Sequence, residues 1–138
     1  MKICPFRALR YNPEKIPDLA SVVAPPYDVI SPEMQEALYR RSPHNIVRLI
    51  LNRDGDPYRS AALHLSQWVS NGTLVRDPRP AIYLTEEVFR HPLGGRVSRK
   101  GFVALAELED FQAGSILPHE KTLVAPKADR LNLIPRMR

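Results

Sequence analysis

A single cysteine, Cys4, stands among 138 residues, which excludes an internal disulfide and any multi-cysteine metal knot. Its apolar neighbours mark it as a small buried residue rather than a reactive thiol. Glycine is scarce as well, with six in all. The chain has no Gly-rich lysine-serine phosphate loop and no dinucleotide fingerprint. Long apolar runs are missing, so no segment spans a bilayer, and residues 1–15 lack the apolar core of a signal peptide. No membrane partner is therefore expected, and the cytoplasm is the expected compartment. There is no internal repeat and no low-complexity segment. The four histidines, 44, 64, 91 and 119, are too scattered to read as one metal site. His119-Glu120 is followed by Lys-Thr-Leu without a histidine at the fifth position, which rules out a zinc-protease helix. No serine or cysteine nucleophile with a matching base is visible.

What is present fits a globular chain. The apolar share is 43% and the charged share 25%, close to ordinary averages, and the length suits one core, so a single domain over 1–138 is expected. Proline is abundant, with 14 residues, many at element boundaries. The formal charge of +5 permits an anionic partner and equally suits a solvated basic surface.

Local signals set out the elements. Ile3–Leu9 reads as a short first strand, and 11–21 as a loop or ragged turn. Pro25-Pro26 forces an extended path that leaves Tyr27 and Asp28 on a rigid loop. Ser31-Pro32-Glu33 combines a hydroxyl N-cap, a proline at the first helical position and a first-turn acid, so a helix starts there and stops before Pro43. Asn45–Leu51, NIVRLIL, reads by its β-branched content as a buried strand with Arg48 on the outward face. Asp56-Pro57 opens a second helix, kept in a 3.6-residue period by Tyr58, Ala61, Leu65 and Trp68, and closed by Asn71-Gly72. Thr73–Val75 suits a brief strand. Ala81–Phe89 and Arg96–Leu108 form the two strands of a long hairpin around Gly94-Gly95. A last helix opens at Ala125-Pro126. Mixed strands and helices without regular βαβ alternation indicate an α+β fold.

Chemistry concentrates in Ile116–Leu133. A carboxylate, Glu120, precedes a helix that carries Lys127, Asp129 and Arg130. A general base beside an anion-holding helix end is a pattern suited to phosphoryl transfer, which asks mainly for positioning, charge neutralisation and a base to orient the attacking oxygen. The same residues also suit a surface acid and a solvated helix face.

Four ordered blocks, CPFRALRYNPEKI, VVAPPYDVISPE, SPHNIVRLIL and LPHEKTLVAPKADRLNL, resemble the N-terminal part of domain-of-unknown-function family 1015, whose members are similar to the archaeal free-serine kinases. The resemblance implies a ParB/sulfiredoxin-like α+β domain that phosphorylates free L-serine to O-phospho-L-serine, with ATP or ADP as donor and Mg²⁺. In such kinases a Pro-His-Glu or Leu-His-Glu motif supplies the catalytic glutamate. Here it matches Leu117-Pro118-His119-Glu120, which makes Glu120 the expected base. His119, Thr122, Lys127 and Arg130 are the expected phosphate or nucleotide contacts, Asp129 the expected Mg²⁺ ligand, and Tyr27 and Asp28 the expected lining of the serine pocket. For Asn45 and Arg48 a structural role is expected. The alternative is a non-catalytic ParB-like module holding nucleotide or nucleic acid, although no helix-turn-helix and no basic stripe interleaved with aromatics is evident, so nucleic acid is not the expected partner. Family members continue beyond this pattern, whereas here Pro135 breaks the last helix. A truncated copy, with reduced or no activity and with Leu131, Leu133 and Ile134 uncovered, is the corresponding expectation.

Overall fold

The structure is a computed structural model and describes residues 2–114, 116–117 and 124–137. Among these residues it has the α+β composition expected, with helices and three two-stranded sheets. The strands are β1 (Ile3–Cys4), β2 (Leu9–Tyr11), β3 (Leu74–Arg76), β4 (Tyr83–Arg90), β5 (Arg96–Val103) and β6 (Leu105–Ala106). The helices are α1 (Pro32–Arg41), α2 (Val47–Ile50), α3 (Pro57–Ser70) and α4 (Val124–Leu133). The sheets pair β1 with β6, β2 with β3 and β4 with β5. The contacts group into two compact units, Met1–Leu9 with Arg76–Glu120, and Arg10–Val75 with Lys121–Arg138. No helix among the described residues is long and apolar enough to cross a membrane.

The first unit is built on the β4–β5 hairpin, whose antiparallel register runs from Tyr83↔Val103 to Arg90↔Arg96. Its turn needs two left-handed residues, supplied by Gly94 (φ 96°) and Gly95 (φ 85°), and is closed by the His91 N–H donating to the Gly95 carbonyl at 3.0 Å. Opposite charges face across the strands at Glu86↔Lys100 and Glu87↔Arg99. The second hairpin strand was expected to run on to Leu108, but it changes partner at Ala104. Ala81, the residue that would have continued the ladder, is already bonded to Phe6 in both directions, at 3.0 and 2.9 Å. Leu105 and Ala106 therefore pair with Cys4 and Ile3 instead. The expected first strand is likewise split. Pro5, which has no N–H to donate, separates β1 from the Phe6 bridge, and the next strand, β2, begins only at Leu9. Tyr83 ties the base of the hairpin together. Its hydroxyl donates to Asp77 Oδ2 at 2.5 Å and accepts from the Ala8 N–H at 2.8 Å, and its ring lies 5.0 Å from Phe6.

In the second unit both helix starts follow their capping residues. Ser31 Oγ accepts from the Met34 N–H at 3.2 Å ahead of Pro32. Asp56 Oδ1 accepts from the Tyr58 and Arg59 N–H groups, each at 3.1 Å, ahead of Pro57. α3 ends at Asn71, and Gly72 carries the left-handed φ of 74°. The core joins Leu38, Tyr39 and Val47 to the half-buried Ala24, Ile30 and Leu51. Trp68, buried on α3, sits among the rings of Tyr11, His44 and His64 at 5.7–6.2 Å.

The NIVRLIL segment is a correction, because it forms the short helix α2 and not a strand. Its first residue explains this. Asn45 is fully buried, and its Oδ1 accepts from the Val47 N–H at 3.0 Å, which stabilises a helical turn. Its Nδ2 donates to the Ser21 and Val23 carbonyls, both at 3.0 Å, while the Ile46 N–H reaches the Val22 carbonyl at 2.7 Å. Tertiary anchoring thus overrides a β-branched preference that is only a weak guide. Arg48 does not point outward either. Its guanidinium lies 4.1 Å above the Tyr39 ring and donates to the Tyr39 carbonyl at 3.2 Å, and Arg53 also stacks on that ring, at 4.2 Å. Burial pushes the Tyr39 phenol above its ordinary pKa.

Tyr11 shows a larger effect. Its hydroxyl donates to the His44 carbonyl at 2.7 Å, and burial pushes its pKa up to about 12. The folded protein keeps this proton at a pH where an unfolded tyrosine has lost it, so the contribution to stability is complete below about pH 10 and falls as pH rises towards 12. The full shift would correspond to ~2.7 kcal/mol; partial exposure of the phenol reduces this to on the order of 1 kcal/mol. Tyr11→Phe is expected to lose less stability than the parent over that alkaline range, read as urea midpoints against pH. Parallel curves would show that Tyr11 titrates as it does in the unfolded chain.

Candidate small-ligand cleft

In the second unit, α4 brings Asp129 and Arg130 to the C-terminal end of α2 and the N-terminal turn of α3. Together these elements line a cleft of ≈ 200 Å³, with walls that include Leu49, Leu51, Pro57 and Leu133. The proline that opens the last helix sits in its first turn, and the apolar residue at its end, Leu133, is buried. Leu133 is thus covered, while Leu131 and Ile134 are exposed.

Arg130 is the centre of the cleft. Its Nη2 donates to the Ile50 carbonyl at 2.8 Å. Its Nε donates to Asp129 Oδ2 at 2.9 Å, and Nη2 also bonds that oxygen. Its guanidinium carbon lies 3.8 Å above the ring of Tyr27, a cation–π contact worth about 0.5–2 kcal/mol depending on how far it is desolvated. Asp129 is held in turn by Tyr58, whose hydroxyl donates to Oδ1 at 2.9 Å. The side chains of Arg130 and Asp129 remain 25% and 33% exposed, so the pair is fixed in position and still reachable from solvent.

Of the residues singled out in the sequence, Tyr27, Asp129 and Arg130 come together. Tyr27 and Asp28 lie in a 3-10 turn, Tyr27–Val29, rather than on a fully extended loop. The turn follows directly on Pro26, and the Val29 N–H donates to the Pro26 carbonyl at 3.1 Å. Asp28 and Lys127 are exposed. His119, Glu120 and Thr122 lie outside the described residues. Sequence reasoning missed two members of the site, Tyr58 and the Ile50 carbonyl. Tyr58 follows the Asp56-Pro57 helix start, and its periodicity placed it on the buried face; a hydroxyl at the mouth of a helix was the signal for a second role.

Asp129 does not fit the part of a magnesium ligand. Both of its oxygens accept hydrogen bonds, and one carries a guanidinium, which leaves room for a further hydrogen bond but not for the several oxygen ligands a divalent cation takes. Among the described residues no group of three His, Cys, Asp or Glu side chains is placed to hold a metal ion. A wider hollow of ≈ 310 Å³ crosses the hairpin in the first unit, lined by Leu84, Thr85, Glu86, Lys100 and Gly101. Its only charged side chains, Glu86 and Lys100, oppose each other across the ladder, so despite its size it presents no convergent polar groups.

A family model described as "Protein of unknown function (DUF1015)" matches residues 3–138. No curated protein and no solved structure matches the chain.

Proposed function

The chain belongs to the DUF1015 family, and on that premise we propose that it is a phosphotransferase with a ParB-like α+β architecture, moving a nucleotide phosphoryl group onto the hydroxyl of free L-serine. Glu120 takes the hydroxyl proton as the serine oxygen bonds to phosphorus, and the nucleotide leaves with the electron pair of the broken P–O bond. His119, Thr122 and Lys127 hold phosphate oxygens, and Tyr27 and Asp28 border the acceptor. A divalent cation entering with ATP or ADP would neutralise phosphate charge. A cytoplasmic setting goes with a nucleotide donor.

The observation that carries this reading is the meeting of Tyr27 and Arg130 at 3.8 Å. They come from two separate blocks of the family-like pattern, the Pro-Pro-Tyr-Asp block and the one that follows His-Glu, and the ring of Tyr27 backs the fixed cation, Arg130, that lines the cleft. At ≈ 200 Å³ the cleft is below the roughly 300–1,000 Å³ of pockets for drug-sized ligands. That suits an amino-acid-sized acceptor, with the nucleotide bound beside it.

Incubating the purified chain with L-serine, Mg²⁺ and either ATP or ADP should yield O-phospho-L-serine by mass spectrometry. Glu120→Gln should lower the rate by about 100-fold, the ordinary worth of a positioned base. Equal turnover by variant and parent would remove Glu120 from the mechanism. A second reading, a nucleic-acid-binding module, draws on the hairpin tip, where Arg90 directly opposes Arg96, a like-charge pair that costs stability without an anion nearby. DNA retention that weakens steeply with salt, without phosphoserine formation, would favour it.

A further inference from the structure

We infer that the cleft between α2, α3 and α4 is a receptor for the zwitterionic end of a free α-amino acid, Arg130 taking the carboxylate and Asp129 the ammonium. The inference deepens the amino-acid phosphotransferase reading and can be tested apart from it.

Counting donors and acceptors leads to this assignment. A guanidinium has five N–H groups and a carboxylate about four lone-pair sites. Arg130 uses its Nε–H on Asp129 and both Nη2 N–H groups on Ile50 and Asp129. The two N–H groups of Nη1 have no partner among the described residues. On Asp129, Oδ2 accepts twice from Arg130, and Oδ1 accepts once, from Tyr58. Among the described residues one acceptor position on Oδ1 is left. The pair therefore offers two charged donors and one charged acceptor side by side, the complement of a carboxylate and an ammonium on neighbouring atoms.

Charge decides between candidate ligands. The Asp129–Arg130 pair is neutral overall, so a phosphate dianion drawn to Nη1 would also meet the negative charge of Asp129. A zwitterion meets an opposite charge at both ends and adds no net charge to a part-buried site. Leu49, Leu51, Pro57 and Leu133 form the apolar wall against which the carbon skeleton of the ligand would lie. Tyr27 beneath the guanidinium and Tyr58 on the carboxylate fix the two recognising groups before the ligand arrives, which lowers the entropy cost of binding.

The test is calorimetric titration of the full chain with L-alanine, with its single-charge halves propionate and ethylamine, and with inorganic phosphate. Alanine should bind at least about tenfold more tightly than any of the other three, the factor one charge-assisted hydrogen bond supplies. Asp129→Asn should weaken alanine by about tenfold and strengthen propionate, because the anion no longer faces a carboxylate. A purely structural role would weaken both. Arg130→Lys keeps a charge but loses the planar fork; it should weaken alanine and propionate while leaving ethylamine unchanged, and serves as the second variant. The inference is overturned if alanine binds no better than its halves, or if phosphate binds best. Alanine has no hydroxyl to phosphorylate. Alanine binding without phosphoserine formation would thus keep the receptor and discard the kinase, whereas phosphoserine formation with an unchanged KM for serine in Asp129→Asn would do the reverse.

Discussion

Replacing Trp68 by alanine is expected to destabilise the protein by about 3–5 kcal/mol, the range for removing a buried aromatic side chain. Trp68 is 3% exposed, and three rings stand around it, those of Tyr11 and His44 from other segments and that of His64 from its own helix. Those rings are held in place, Tyr11 by its bond to the His44 carbonyl and His64 by its position one turn before Trp68 on α3. They cannot all close on the space left behind, so most of the cavity persists and the cost sits in the upper part of the range. Against a total stability of about 5–15 kcal/mol for an ordinary domain, the variant would be close to unfolding at room temperature. Trp68 is the only tryptophan in the chain, so the urea transition of the variant must be followed by far-UV circular dichroism. A loss below about 1 kcal/mol would mean that the neighbouring rings collapse into the vacated volume.

Asn45→Ala is the second large effect, expected at about 3 kcal/mol by summing the three hydrogen bonds of this buried side chain at roughly 1 kcal/mol each. The change removes the acceptor for the Val47 N–H and the donors for the Ser21 and Val23 carbonyls. It leaves those backbone groups in place with a methyl group facing them. Asn45→Asp separates shape from chemistry. It keeps the Val47 bond but sets a carboxylate oxygen against two carbonyls, so it should be at least as damaging as alanine despite its closer shape. Trp68 fluorescence in urea reports on the unit that contains Asn45. If Asn45→Asp proved milder than Asn45→Ala, the two carbonyl contacts would not be the source of the stability.

Both effects bear on what could be read from the chain alone. The starts of α1 and α3 were legible because their signals are local, with Ser31-Pro32 and Asp56-Pro57 capping the helices within three residues. The hairpin was legible because its turn demands the glycines that stand at 94 and 95. NIVRLIL misled because its β-branched residues speak for a strand, while one asparagine bonded to the 21–23 segment dictates a helical turn. The strand change at Ala104 was hidden because it depends on Phe6 having taken Ala81 first.

The candidate site divides in the same way. Glu120 was legible as a carboxylate before a cation-bearing helix, and only the matched motif raised it above a surface acid. Arg130 and Tyr27 were each legible as residue types with plausible chemistry, but their stacking is a tertiary fact with no local signal. Arg48 illustrates the reverse error: a lone arginine in an apolar run suggested solvent, and the ring of Tyr39 received it instead.

The hydrogen bonds that complete the cleft join residues very far apart along the chain, 71 positions for Tyr58 to Asp129 and 80 for Ile50 to Arg130. Closing loops of that length is entropically late in folding, after helices α1 to α3 can already satisfy their own turns and caps. The groups that line the cleft are therefore expected to come together late in folding. During synthesis, α4 leaves the ribosome after every element it docks against, so the cleft exists only once a nearly finished unit has waited for it.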